Sequence, residues 1–235
     1  MAKKKSRTPA PPRPVQAPKR RFEARNPRRN RSYLIALGAL AALLATTAIA
    51  FALRGGSEDV KAALAEGGCT RETVQSQGQR HVEKLAENFK YNSVPATSGP
   101  HQPQPLAPVV WGVYDDPVEQ VKVVHNLEHG GVIVQYGPEV PAQAVQDIIV
   151  WYRDDPNGLV VAPLAPALLE EEPELSDGIA LTAWTYLQTC KRFNEEAFSN
   201  FVDLHRGNGP ERFPVSALTP GRRYPRGGGG TVDVE

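Results

Sequence analysis

Residues 33–53 form an uncharged, strongly apolar run of 21 residues. At about 1.5 Å per residue, a helix of that length matches the roughly 30 Å hydrocarbon core of a bilayer. The run predicts a membrane-spanning helix in contact with lipid and splits the chain into two unlike parts. Ahead of it, residues 1–32 carry twelve Lys or Arg against the single acid Glu23, with prolines at 9, 11, 12, 14, 18 and 27. Such a stretch cannot bury a core and is expected to be a disordered basic arm.

The positive charge precedes the apolar run and only Arg54 follows it closely. The arm is therefore expected in the cytoplasm and the remainder outside it, as a single-pass protein of the cell membrane. A cleaved signal peptide is the alternative, because Ala48-Ile49-Ala50 and Ala50-Phe51-Ala52 resemble small-residue cleavage sites. The run exceeds the usual apolar length of a signal peptide, which favours an uncleaved anchor. Without its arm the chain has 15 basic and 25 acidic residues, a net charge of −10 hidden by the overall +1. An acidic domain attracts cations and disfavours nucleic acid as a partner. The arm lacks interleaved aromatics and a nucleic-acid-binding motif, so its charges are assigned to topology and anionic headgroups. Nothing in the chain specifies a protein partner.

Residues 54–68 read as a linker with a short helix over 57–66, capped by Ser57 and stopped by Gly67-Gly68. Residues 69–214 have the length of one globular domain, and 215–235, with glycines at 227–230, read as a flexible tail. Helices are expected over 141–154, where Val145, Ile148, Ile149 and Tyr152 share a face, and over 194–206, where Ala197, Phe198, Phe201, Val202 and His205 do. Runs at 131–136, 158–162 and 178–184 have the composition of strands, giving an α+β domain. The only cysteines, Cys69 and Cys190, lie in this part and form no Cys-x-x-Cys pair. In an oxidising compartment they are expected to form one disulfide, which for so long a loop contributes about 4 to 5 kcal/mol.

Four of the five histidines fall between His81 and His129. If 118–129 is a helix, with Asp116 as cap, Pro117 in the first turn and Glu119 completing a capping box, His125 and His129 lie one turn apart beside Glu128. Val121, Val123 and Val124 favour a strand instead, which would hold the two histidines about 13 Å apart and forbid a shared ion. His101 ends the Thr97-Ser98-Gly99-Pro100-His101 turn and can project toward the same place.

The expected ligands are His101, His125 and His129, joined by Glu128 or His81. Imidazole and carboxylate suit zinc or copper(II). Copper(I) is disfavoured, because the one methionine is Met1 and both cysteines are assigned to a disulfide. Non-catalytic binding of a divalent transition metal is the favoured reading, and an enzyme is disfavoured. One alternative is a zinc-dependent hydrolase with Glu128 as general base, since His-x-x-Glu-His matches the inverzincin order. The other is an envelope scaffold or binding module whose histidines are hydrogen-bonded packing around Glu128. Ser98 lacks a nucleophile turn and a triad. His205, Trp111, Tyr114, Trp151 and Trp184 read as packing.

The stretches Tyr91-Asn-Ser-Val-Pro-Ala-Thr-Ser-Gly-Pro-His101, Trp111-Gly-Val-Tyr114, Val124-His-Asn-Leu-Glu-His-Gly-Gly-Val132 and Ala180-Leu-Thr-Ala-Trp184 together resemble the bacterial domain-of-unknown-function family 3105, over about residues 81–211. The resemblance implies a membrane-anchored or exported bacterial protein and supplies no activity. One departure is Ala96, where the family usually has a second proline, and it is expected to loosen the turn before His101.

Overall fold

The computed structural model describes residues 58–221. The basic arm, the apolar run 33–53, the cap Ser57 and residues 222–235 lie outside them. Among the described residues no helix is long and apolar enough to cross a membrane. The described residues open on helix α1 (58–67), and six strands then build one sheet in the order β1-β6-β5-β3-β4-β2. These are β1 (Thr70–Thr73), β2 (Gly112–Val113), β3 (Val132–Tyr136), β4 (Leu159–Pro163), β5 (Ile179–Ala183) and β6 (Tyr186–Cys190). The helices between and after them are α2 (Gln120–Glu128), α3 (Ala142–Asp154), α4 (Pro166–Glu171) and α5 (Glu195–His205).

The mixed α+β expectation holds. The strands read from β-branched runs are β3, β4 and β5, and the two longer amphipathic helices are α3 and α5. Pairing explains the topology. β3 and β4 run parallel, with Val134 beside Val161, and parallel neighbours require a crossover, which α3 supplies. β5 runs antiparallel to β3 and to β6, and β1 closes that edge against β6 with Thr70 opposite Thr189. The short β1 and β2 and the six-residue α4 carry too few periodic positions to be read from sequence, and β6 interrupts its run with Gln188 and Thr189.

Alternation along the strands divides the core. Val132, Val134, Leu159 and Val161 pack with Ile148 and Tyr152 of α3 and Phe198, Phe201 and Val202 of α5. Ile133, Val160 and Ala162 point the other way, onto Val123 and Leu127 of α2, Trp111 and Leu218. Both faces are thus covered there, and β3, β4 and β5 read as nearly continuous apolar runs. Leu218 falls in the stretch read as tail. It is buried, and its carbonyl accepts from Gly158 N at 2.7 Å.

The Cys69–Cys190 disulfide expected from the sequence is present and fastens the end of α1 to β6. Around it Lys191 N and Arg192 N both donate to Gly67 O at 3.0 Å.

Two details near α2 differ from expectation. The helix begins at Gln120, and no side chain caps it. The capping box is therefore absent, and Glu119 pairs with Lys122 instead. At the other end, Gly130 takes φ +88°, and a Cβ on Gly131 would meet the Trp111 ring at 2.3 Å. The Gly-Gly pair after His129 thus ends α2 and lets β3 start against Trp111.

A candidate metal centre

α2 settles the choice between helix and strand. Burial of Val123, Val124 and Leu127 overrides the β preference of its valines. His125 and Glu128 lie within α2 and His129 caps it. His101 arrives from the Thr97–His101 turn, and residues 78–82 run alongside that turn, with an isolated parallel bridge joining His81 to His101. His101 N donates to Arg80 O at 3.1 Å and Val82 N to His101 O at 2.8 Å, while Gln102 N donates to Val121 O at 2.8 Å. Backbone bonds therefore join all three histidine-bearing segments. Ala96 contributes rather than loosens: its N–H donates to Gln120 Oε1 at 2.9 Å, a bond proline could not make. Ser98 is structural, its Oγ accepting from Gln77 N.

His81, His101, His125 and Glu128 form a group in which one donor atom from each lies within 4.8 Å of the others. Two donors on one tetrahedral ion with bonds of about 2.0 to 2.2 Å stand about 3.3 to 3.6 Å apart, so side-chain shifts of about an ångström close the set. Within the group His101 Nε2 lies 2.9 Å and His81 Nε2 3.2 Å from the same oxygen, Glu128 Oε2. His101 and Glu128 are 0% and 3% exposed at their side chains, whereas His81 is 43% exposed. The centre is buried except on the His81 side.

The outer ring nitrogens fix the chemistry of the inner ones. His101 Nδ1 is 2.8 Å from Gly99 O, and His125 Nδ1 is 2.7 Å from Gln102 O. A carbonyl only accepts, so each Nδ1 carries the proton. In the neutral ring Nε2 is then a bare lone pair turned inward, as at ligating histidines whose other nitrogen is held by a backbone carbonyl. Burial pushes the His125 imidazole below its ordinary pKa, against the pull of the Gln102 carbonyl. Burial would raise the Glu128 carboxyl, but a proton on His101 Nε2, hydrogen-bonded to it, and positive charge on His101, His125 and His81 hold it below its ordinary value, a role that a cation bound among the same atoms would fill. A bare Nε2 at 2.9 Å from a carboxylate oxygen is repulsive unless a proton or a cation lies between them.

His129, expected among the ligands, is not in the four-residue group; its Nε2 stands 3.1 Å from His125 Nε2 and 3.0 Å from Glu211 Oε2. Burial and the neighbouring His125 hold its pKa down to about 4. Burial outweighs the pull of the Glu128 carboxylate, which acts to raise it. Glu211 carried no signal in the sequence: it lies 82 positions beyond His129 and arrives because Gly207 N donates to Gly130 O at 2.7 Å and Glu211 N to Glu128 O at 3.1 Å. His205 is elsewhere, stacked on Tyr186 at 4.1 Å. Trp184, read as packing, stands beside His101 with ring centroids 6.4 Å apart.

Fold and site together define an α+β domain whose α2 side gathers three histidines and a glutamate that could hold a metal ion. The chain belongs to the family described as protein of unknown function (DUF3105), whose family model matches residues 81–216. That span begins at His81 and includes Glu211, whereas Cys69 falls outside it. No curated protein and no solved structure matches the chain.

Proposed function

We propose that this chain is a single-pass bacterial membrane protein, anchored by residues 33–53 with its amino terminus in the cytoplasm, whose extracytoplasmic domain binds one divalent transition-metal ion without catalysing a reaction. The ligands are His81, His101, His125 and Glu128, and a donor set of three nitrogens and one oxygen without sulfur suits zinc or copper(II). The observation that carries this reading is the pair of carbonyl-locked imidazoles, whose inward lone pairs stand beside a buried carboxylate. Glu128 Oε2 touches two imidazole nitrogens, which favours a ligand over a general base awaiting a water molecule.

The test is metal analysis of the full chain purified in detergent. One zinc or copper(II) per chain is expected, and His101→Ala or His125→Ala should each remove most of it, whereas His205→Ala should retain it. Full-length protein that stays metal-free when offered both ions would leave the histidines as hydrogen-bonded packing. For the topology, a reporter fused after Glu235 should be active only outside the cytoplasm; activity inside would reverse the assignment.

A further inference from the structure

The four-residue group leaves a second set of donors unexplained. His125 Nε2, bare because its Nδ1 is held by the Gln102 carbonyl, faces His129 Nε2 at 3.1 Å. Two imidazole nitrogens on one tetrahedral ion lie about 3.3 Å apart, so this pair is already close to ligand spacing. Glu211 Oε2 adds a carboxylate at 3.0 Å from His129 Nε2. Exposure falls along this row, from 40% at Glu211 to 4% at His129 and 0% at His101. His129 differs from His101 and His125 in one respect: its Nδ1 is buried and has no hydrogen-bond partner. A ring without such support is less preorganised as a permanent ligand. Its rest is Phe213, 4.3 Å away between ring centroids.

We infer that His125, His129 and Glu211 form an outer, weaker metal position next to the inner group. Because the two positions share His125, they fill alternately. An ion captured at Glu211 passes inward as His129 and Glu211 are exchanged for His101, Glu128 and His81 around the common imidazole. This inference rests on the metal-binding reading above and adds to it a second position and a route.

The probe is cobalt(II), whose four-coordinate complexes absorb strongly in the visible, added to metal-free full chain in detergent. In wild type one cobalt(II) per chain is expected. In Glu211→Gln, at an exposed position with little bearing on folding, the stoichiometry should stay at one while uptake slows by about tenfold, the lower end of what a charged approach to a site contributes. His129→Phe, which changes no charge at neutral pH and keeps the stack on Phe213, should slow uptake as well, separating ligand exchange from electrostatic steering. In His81→Ala/Glu128→Gln, residual cobalt binding about 10- to 100-fold weaker than wild type is expected, lost when Glu211→Gln is added.

Wild-type uptake rates in both single variants would overturn the outer position. So would residual binding that is absent, or indifferent to Glu211, in a double variant whose circular dichroism is native. Loss of the ion in His129→Phe would overturn it in a different way, by placing His129 in the inner group. Wild type that takes up no cobalt would sink the metal reading itself, a result distinct from all of these.

Discussion

On one face of the sheet Ile148, Phe198, Phe201 and Val202 close over Val132, Val134, Leu159 and Val161. On the α2 side the chain instead buries His101, His125, Glu128 and His129 together, and these are the only buried His, Asp, Glu, Lys or Arg side chains among the described residues. The first region is stabilised by removing apolar area from water, at roughly 25 cal/mol per Å². The second spends part of that gain on desolvating imidazoles and a carboxylate, and recovers it only if each finds a proton or a cation. A fold that needed only a core would not converge four such groups. The contrast is therefore the argument for a ligand, and it can be attacked from either side.

The largest effect is expected on the apolar side. Cys190 is part of that core and its bond to Cys69 closes a separation of 121 residues. Cys190→Ser should lower unfolding free energy by about 4 to 5 kcal/mol, measured by denaturant titration. Its metal content should be unchanged, because no ligand touches that edge. A variant that loses metal while still folded would show that the two regions are not independent.

Acid should act on the polar side. His129 has an ordinary pKa of 6.5 that is held down to about 4 in the folded chain, so between these values the unfolded chain binds a proton that the folded chain refuses. Stability of metal-free protein is then fully present above about pH 6.5 and falls by roughly 3 kcal/mol as pH drops to about 4. The lowered pKa values of His125 and Glu128 act in the same direction. A flat stability profile across that window would mean that these side chains are not held as described. His129→Phe should flatten part of the slope.

The same contrast explains what could be read before the fold was known. α3 and α5 announce themselves by apolar residues at helical spacing, and β3, β4 and β5 by short β-branched runs between turns. Histidine spacing on α2 was legible for the same reason, once a helix was assumed. The partition of the ligands was not. His81 enters the group through a single backbone bridge to His101, and His129 falls outside it because a helix C-cap directs its ring toward the 207–213 segment. The carbonyls of Gly99 and Gln102, which fix the imidazole tautomers, are backbone atoms and leave no trace in residue identity. β1 was missed because it pairs with β6 across more than a hundred residues, and β6 because its hairpin with β5 turns at Trp184-Thr185 rather than at a Gly or Asn pair; Arg71 rather than an apolar stripe ties β1 to β6, donating to Gln188 Oε1 at 2.6 Å.

X-ray absorption at the metal edge of zinc- or copper-loaded protein is the most direct test of the central claim. Three imidazole nitrogens and one carboxylate oxygen predict a light-atom shell at about 2.0 to 2.2 Å, with the multiple scattering of imidazole rings and no sulfur near about 2.3 Å. His101→Ala should remove one imidazole contribution or the ion altogether. A sulfur shell, or a shell of oxygens without imidazole scattering, would contradict the account, because the ion would then be held somewhere other than between His81, His101, His125 and Glu128.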